Sequence, residues 1–269
     1  MRMAGRKMTS KIRGRELVGS LLFPARCPVC DEILEPEEVK KGIHFACESK
    51  LFPILGAVCM HCGRPIGDKN HKNQKNEYDT QYHDAGEYCH DCKEKGYDRK
   101  SNIVQAKSLY LYKGAIKKSM YRFKYSNRRE YASFFAQCAV KRYGAWMKKN
   151  GIEAIVPVPM YKSKRRKRGY NQAECFAKEL SVLTRIPARM NLVHRVKNTM
   201  PQKGLSEKER KNNLKNAFHS GENIVQCNCV MVVDDIYTTG STAEAVAQEL
   251  IKQGARRVYL MTVCIGEEM

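Results

Sequence analysis

Asp234 and Asp235 stand side by side and are followed, after Ile236, by Tyr237-Thr238-Thr239-Gly240-Ser241-Thr242. These residue types suit one kind of ligand. Hydroxyls and backbone N–H groups donate to phosphate oxygens, while carboxylates accept hydrogen bonds from vicinal alcohols. Phosphate donors next to diol acceptors describe a sugar phosphate. Gly240 lets the backbone approach such a ligand closely. The stretch has no Gly-Lys-Ser/Thr and no Gly-x-Gly-x-x-Gly, which excludes the nucleotide-triphosphate loop and the dinucleotide fingerprint.

The flanking residues supply the elements that would hold these groups. Residues 230–233, Val-Met-Val-Val, read as a buried parallel strand. Ala243, Val246, Ala247 and Leu250 recur at helical spacing, and Gly254 stops the helix. The order is strand, acidic pair, hydroxyl-rich turn, helix. A helix N-terminus presents unpaired N–H donors and the positive end of its dipole, so residues 238–242 are placed to hold an anion.

A second set of reactive types lies near the front of the chain. Cys27-Pro-Val-Cys30, His44-x-x-Cys47, Cys59-Met-His-Cys62 and Cys89-His-Asp-Cys92 are four pairs at metal-ligand spacing. A Cys-x-x-Cys turn aims two thiolates at one ion, and zinc takes four such ligands in a tetrahedron. Cys59, Cys62, Cys89 and Cys92 make one complete four-thiolate set around a polar interval, residues 68–84, that reads as a loop. Cys27, Cys30 and Cys47 need one more ligand, and position 50 is Lys50. His44 is either that ligand, giving three thiolates and one imidazole, or a surface histidine. Spacing leaves both open, together with a cross-pairing of Cys27 and Cys30 with Cys59 and Cys62. His61 and His90, inside the knuckles, read as supporting or surface groups. A redox role is disfavoured, because no thioredoxin-like strand–helix context surrounds the pairs. Cys138, Cys175, Cys227, Cys229 and Cys264 read as small core side chains.

Length and composition bound the rest. The 269 residues suit one large or two modest domains, and a hydrophobic fraction of 42% suffices for a core. Forty-nine basic against 28 acidic side chains leave +21, which favours polyanions: nucleic acid, acidic surfaces or phosphorylated substrates. No apolar run is long enough to span a bilayer, and residues 17–23 read as a short packed helix rather than an export signal. The expectation is a cytoplasmic protein, with its twelve cysteines directed to metal and core rather than disulfides. Three regions follow: a basic leader, 1–24; a zinc module, 25–98, folded by its metal; and an α/β domain, 99–269.

Within the last region, 103–112 and 257–265 read as strands and 114–124 and 128–147 as helices. Tyr121-Arg-Phe-Lys-Tyr125 is either half core and half solvated or a base-stacking stripe. Residues 154–159, Ala-Ile-Val-Pro-Val-Pro, read as a strand ended by proline. The cationic run 162–168 follows, then a helix with Ala173, Phe176, Ala177, Leu180 and Leu183 at core spacing. The polar segment 197–213, longer than ordinary loops, suggests a lid, with a surface helix at 206–215 compatible with it.

The spelling of residues 230–242 resembles the phosphoribosyl-pyrophosphate (PRPP) motif of type I phosphoribosyltransferases. Several motifs then narrow the resemblance: the cysteine-knuckle front, Val-Pro-Val-Pro with its basic run and Arg168-Gly-Tyr-Asn-Gln, Arg195-x3-Thr199-x2-Gln202, and Asn213-Leu-x2-Ala217-Phe218. Together with the PRPP motif they are similar to ComF-type proteins, a family named for competence and DNA uptake, over about residues 27–264. The chain departs from that pattern at Lys50, where many members carry a cysteine.

The resemblance implies a Rossmann-like phosphoribosyltransferase domain with a mostly parallel sheet, preceded by a small zinc-binding module. It implies PRPP held by Asp234, Asp235, Tyr237, Thr238, Thr239, Gly240, Ser241 and Thr242, with magnesium bridging diol and pyrophosphate. Asp234 and Asp235 are the expected catalytic acids. Pyrophosphate is expected at a loop around Val158 and Pro159, with Arg165, Arg166 and Arg168 nearby. The acceptor is expected under a hood within 107–149. The rival expectation is a non-catalytic zinc protein that binds single-stranded DNA, serves the DNA-uptake machinery and keeps this fold as a scaffold. Nothing in the sequence indicates an oligomeric state.

Overall fold

The computed structural model describes residues 24–66, 88–94, 96, 101–198, 214, 216–221 and 227–266. The helix expected at 17–23, the whole of the loop at 68–84 and nearly all of the 197–213 segment lie outside the described residues, as do Thr199, Gln202 and Asn213. Two short helices, α1 (Phe45–Glu48) and α2 (His90–Glu94), accompany the cysteine pairs. The α/β part then runs β1 (Ile103–Leu111), α3 (Ala115–Tyr125), α4 (Tyr131–Lys149), β2 (Ala154–Pro157), α5 (Lys162–Arg168), α6 (Gln172–Thr184), β3 (Val193–Arg195), β4 (Phe218–Ser220), β5 (Cys229–Tyr237), α7 (Ser241–Lys252) and β6 (Arg257–Ile265).

Four strands form a parallel sheet in the order β1-β6-β5-β2, while β3 and β4 pair antiparallel in a small separate sheet. Both faces of the main sheet are covered, which is why β5 reads as an unbroken apolar run rather than an alternating one. Met231 and Val233 point to one core, with Phe123, Phe135 and Phe176 from α3, α4 and α6. Val230 and Val232 point to the other, with Val246 and Leu250 from α7. Of the positions expected to pack from α6, Leu183 is exposed instead, on the last turn of that helix.

The cysteine-rich region packs against the β1 edge of this sheet. Leu111 N–H donates to Phe52 O (2.9 Å) and Ile54 N–H to Leu109 O (3.0 Å), so residues 52–54 cover backbone that an edge strand would otherwise expose. On either side of this seam the region enters a different core. Cys27, Val29, Ile43 and Cys47 join the α3/α4/α6 core, and Cys59, Cys62, Cys89 and Cys92 join the α7 core.

Candidate donor corner and metal centres

The sheet delivers the acidic pair at the carboxyl end of β5, where open parallel sheets bind ligands. Successive strand residues face opposite ways, and the two carboxylates are separated accordingly. Asp234 turns toward α7 and lines a shallow cleft of about 30 Å³ with Tyr237, Thr238, Gly240, Thr242 and Thr262. Asp235 turns toward α3, where its Oδ2 lies 2.9 Å from Lys124 Nζ. The pair stays linked through the Asp235 N–H, which donates to Asp234 Oδ1 (2.8 Å).

This split sets the electrostatics. Burial, reinforced by the charge of Asp235, pushes the Asp234 carboxyl up to about 7. Burial alone would lower Lys124, but the charge and hydrogen bond of Asp235 outweigh it and raise the lysine above its ordinary value. Arg195 on β3 feels the opposite balance: burial holds it below its usual value, against the attraction of Asp234.

Gly240 caps α7 at φ 78°, in the left-handed region, and a Cβ there would stand 2.7 Å from Tyr237 Oη. Only glycine fits both requirements. Thr239 and Ser241 bond to each other through their hydroxyls (2.9 Å), which fixes the turn, while Thr238 is exposed. Below them, Thr262 on β6 meets Ser108 on β1 (2.6 Å).

The expected pyrophosphate loop lies alongside. Val158 N–H donates to Val233 O (2.9 Å), and Asn171, the N-cap of α6, donates from Nδ2 to Val158 O (2.9 Å). Val158 is buried and Pro159 half-buried. The basic run that follows is the short helix α5. Its arginines are mostly engaged: Arg165 pairs with Glu174 (2.7 Å), and Arg168 bonds Gln172 (2.8 Å) and lies over the Tyr125 ring (4.9 Å). Arg166 is exposed.

The cations nearest the acidic pair are therefore Lys124 and Arg195, neither of which is expected there from the sequence. Arg195 belongs to a motif that carries no assigned role. Lys124 is hidden in an aromatic stripe, and only the pairing of α3 with β5 reveals it.

The metal-ligand residues gather into two sets, Cys27/Cys30/His44/Cys47 and Cys59/Cys62/Cys89/Cys92, each with its donor atoms within 4.8 Å of one another. His44 is thus a member of the first set, and the cross-pairing of the two Cys-x-x-Cys turns does not occur. Lys50 is exposed and unneeded, because His44-x-x-Cys47 with α1 occupies the place that Cys89-x-x-Cys92 with α2 takes in the second set. His44 Nε2 bonds Ile33 O (3.0 Å) while Nδ1 faces Cys30 Sγ (3.2 Å), the tautomer arrangement of a metal-bound imidazole held by a carbonyl.

The donor sets fit zinc. Zn–S bonds of about 2.3 Å in a tetrahedron put sulfurs about 3.8 Å apart, and Cys62 and Cys89 are separated by 3.6 Å. Hydrogen bonds to Cys59, with burial adding to them, hold the Cys62 and Cys92 thiols far above their ordinary value, so the four sulfurs cannot ionise together without a cation. None of the twelve cysteines is in a disulfide. His61 is buried with Nδ1 3.6 Å from Cys92 Sγ, whereas His90 is exposed. Among the described residues, no helix is long and apolar enough to cross a membrane.

Comparison with known proteins gives the following similarities. Residues 18–93 match the double zinc ribbon domain. Competence protein F of Haemophilus influenzae is 44% identical over 110 residues, which are 40% of this chain and 48% of that protein. DNA utilization protein YhgH of Escherichia coli is 33% identical over 148 residues, 54% of this chain and 65% of that protein. The chain thus spans less than two thirds of the length of these two relatives. Competence protein ComFC of Bacillus subtilis is 27% identical over 226 residues, 82% of each chain. Among solved structures, a purine phosphoribosyltransferase from Pyrococcus horikoshii aligns over 50% of this chain and 84% of its own, with 17% identity and a TM-score of 0.32.

Proposed function

We propose that this chain, which is similar to competence proteins F and ComFC and matches a double zinc ribbon ahead of its α/β domain, binds PRPP at the 234–242 corner and transfers the phosphoribosyl group to an acceptor. The observation that carries this reading is the cleft that Asp234 shares with Thr238, Gly240 and Thr242. Diol acceptor and phosphate donors open on one space there.

In this reading the 5′-phosphate takes the N–H groups and hydroxyls of residues 238–242, and Asp234 accepts from the ribose alcohols. As the bond from C1 to the pyrophosphate oxygen lengthens, positive charge develops on the ribose and negative charge on the leaving group. The carboxylates favour the first, and Lys124 and Arg195 bring positive potential to the second. Arg166 can join them from α5, but Arg165 and Arg168 must first leave Glu174 and Gln172. Magnesium suits the hard carboxylate oxygens that Asp234 turns to the cleft, and when bound it would neutralise pyrophosphate oxygens. The acceptor is read under the hood between residues 107 and 149, and the reducing cytoplasm is the compartment that keeps the thiolate ligands intact.

The test is pyrophosphate release from PRPP and magnesium across a panel of acceptors. Release that depends on one acceptor, and falls at least ~100-fold in Asp234→Asn, the scale of removing a group that stabilises transition-state charge, supports transfer. An unchanged rate in that variant overturns the assignment.

A second reading has its own observation. Tyr121 and Tyr125 pack tilted at 48°, with 5.1 Å between ring centroids, and each is 62% exposed. Tyr121 lines a surface groove of about 350 Å³ with Lys117, Lys118 and Arg122. Exposed rings among cations suit stacked bases and a phosphate backbone, so this face would take single-stranded DNA, consistent with a place in DNA uptake. Binding that weakens steeply with salt and is lost in Tyr121→Ala/Tyr125→Ala would support it. Salt-insensitive or unchanged binding would remove it.

A further inference from the structure

The second cysteine cluster is joined to the donor corner by a run of hydrogen bonds that phosphoribosyl transfer does not use. His61 sits inside the Cys59–Cys62 knuckle with Nδ1 against Cys92 Sγ, and its Nε2 is 2.8 Å from Ser101 Oγ. Ser101 donates in turn to Glu244 Oε1, on the first turn of α7. The other oxygen, Glu244 Oε2, accepts from the Asn102 N–H (3.1 Å) and from Asn102 Nδ2 (3.2 Å). Glu244 N–H closes the path by donating to Gly240 O (2.8 Å). Groups from distant parts of the chain thus connect a metal ligand to the turn bearing Thr239, Gly240 and Ser241.

The packing around this path is tight enough to transmit displacement. Gly63, the residue after Cys62, has φ +72°, and a Cβ there would lie 2.5 Å from Ala106 O on β1. Ala106 N–H donates to His61 O (2.6 Å), so the knuckle is bonded to β1 as well as packed on it. His61 and the four thiols are all buried. Close-packed contacts of this kind shift as a unit rather than deform gradually.

We propose that the Cys59/Cys62/Cys89/Cys92 centre is the rear anchor of the donor-binding helix, with His61, Ser101 and Glu244 as positioning residues, so that metal occupancy sets the affinity of the 238–242 turn for a phosphorylated sugar. By linkage, sugar phosphate at the turn must tighten metal binding at this centre by the same factor that metal raises sugar-phosphate affinity. The proposal rests on the reading of the turn as a phosphate site. The first cluster has no such path among the described residues, and its occupancy leaves the turn unaffected.

The experiment follows zinc release from the full-length protein into a colorimetric chelator, with and without ribose 5-phosphate, and titrates ribose 5-phosphate separately. Two release phases are expected, one for each cluster. Ribose 5-phosphate should slow one phase about 5-fold or more, the lower range of allosteric coupling. Ser101→Ala should accelerate that phase about 10-fold, as loss of supporting groups around a metal does. The same variant should weaken ribose 5-phosphate several-fold and abolish its effect on release. Ser101→Thr, which keeps the hydroxyl, should restore all three. The remaining phase should not respond in any of these proteins.

If the wild-type protein binds ribose 5-phosphate but Ser101→Ala changes neither affinity nor release, the coupling is overturned. If the wild-type protein binds no ribose 5-phosphate, the phosphate reading falls first and takes the coupling with it. The wild-type titration alone identifies that case.

Discussion

The two cysteine clusters are built on one plan and docked in opposite ways. In each, a Cys-x-x-Cys turn is closed by a residue in the left-handed region, Asp31 (φ 73°) in the first and Gly63 (φ 72°) in the second. In each, the N–H of that residue returns to the leading cysteine: Asp31 to Cys27 O (2.9 Å) and Gly63 to Cys59 O (3.0 Å). The difference is what the neighbouring fold does with that position. At Asp31 there is room, and the carboxylate is used: Arg128 grips it with two bonds (2.6 and 3.0 Å), and Tyr131 donates to it (2.6 Å). At Gly63 there is none, because β1 backbone fills the space. At this position the first ribbon adds polar bonds to the α3–α4 side beyond its apolar packing there, whereas the second is pressed against the backbone of the sheet edge.

That contrast runs across the sheet. The face holding the first ribbon carries α3, and with it Lys124 and its partner Asp235. The face holding the second carries α7, and with it the hydroxyl-rich turn and Asp234. One ribbon shares a core with each half of the acidic corner.

The largest effect that separates the two ribbons should come from the ligands. Cys62→Ser and Cys30→Ser should each remove one zinc equivalent, and structural zinc stabilises small modules by an apparent ~10–16 kcal/mol. Because the Cys62 cluster is wholly buried and Cys30 is not, Cys62→Ser should lower the melting temperature further and take β1 with it. Calorimetry with metal analysis checks this, and equal losses would erase the distinction between the ribbons.

Next comes Lys124→Met, which leaves the Asp235 carboxylate, with 13% of its side chain exposed, without its cation. Breaking such a pair costs about 3–5 kcal/mol. Urea unfolding should show that loss, and Lys124→Arg should recover most of it. Gly63→Ala follows. Its methyl must displace β1 backbone and accept a left-handed φ, together on the order of 1–3 kcal/mol. The matching change Asp31→Ala should show no backbone clash, so its loss should be traceable mainly to Arg128 and Tyr131.

A pH series probes the corner itself. With burial pushing the Asp234 carboxyl up to about 7, the ionised form needed to accept from a diol forms between about pH 6 and 8. Affinity for ribose 5-phosphate should therefore rise across that interval, by up to about tenfold per unit on its steepest part. Asp234→Asn should flatten the profile. For folding the sign is opposite: a carboxyl raised in the native state makes the protein lose stability as pH climbs from about 4, the ordinary aspartate value, toward 7.

The local parts of this arrangement could be read from the sequence. Strand, turn and helix at 230–250 follow from an apolar run, small hydroxylated residues and helical spacing. Metal-ligand membership follows from the cysteine spacing, with His44 decided only by geometry. What sequence could not supply was anything that depends on which element faces which. Lys124 is on a helix whose other residues explain it as amphipathic, so its distant partner Asp235 leaves no local trace. The separation of Asp234 from Asp235 was available in principle, since neighbours on a strand point oppositely, but the shared motif invited treating them as one acid pair. Ser101 and Glu244 stood in no motif at all.

The smallest effect is expected at the polar dock of the first ribbon. Burial would raise Asp31, but the hydrogen bonds from Arg128 and Tyr131 overcome it and hold the carboxyl below its ordinary value. A depressed carboxyl stabilises the native state above the unfolded pKa, near ~3.9, and that contribution disappears as pH falls through the lower native value. Asp31→Asn keeps the shape and the left-handed backbone that asparagine tolerates, and loses only the charge. It should cost about 1–2 kcal/mol at neutral pH, the scale of one charge-assisted hydrogen bond, and little once the native carboxyl is itself protonated. Unfolding curves for the two proteins should therefore converge in acid, while Gly63→Ala, whose cost is steric, should stay offset from the wild type by the same amount at every pH.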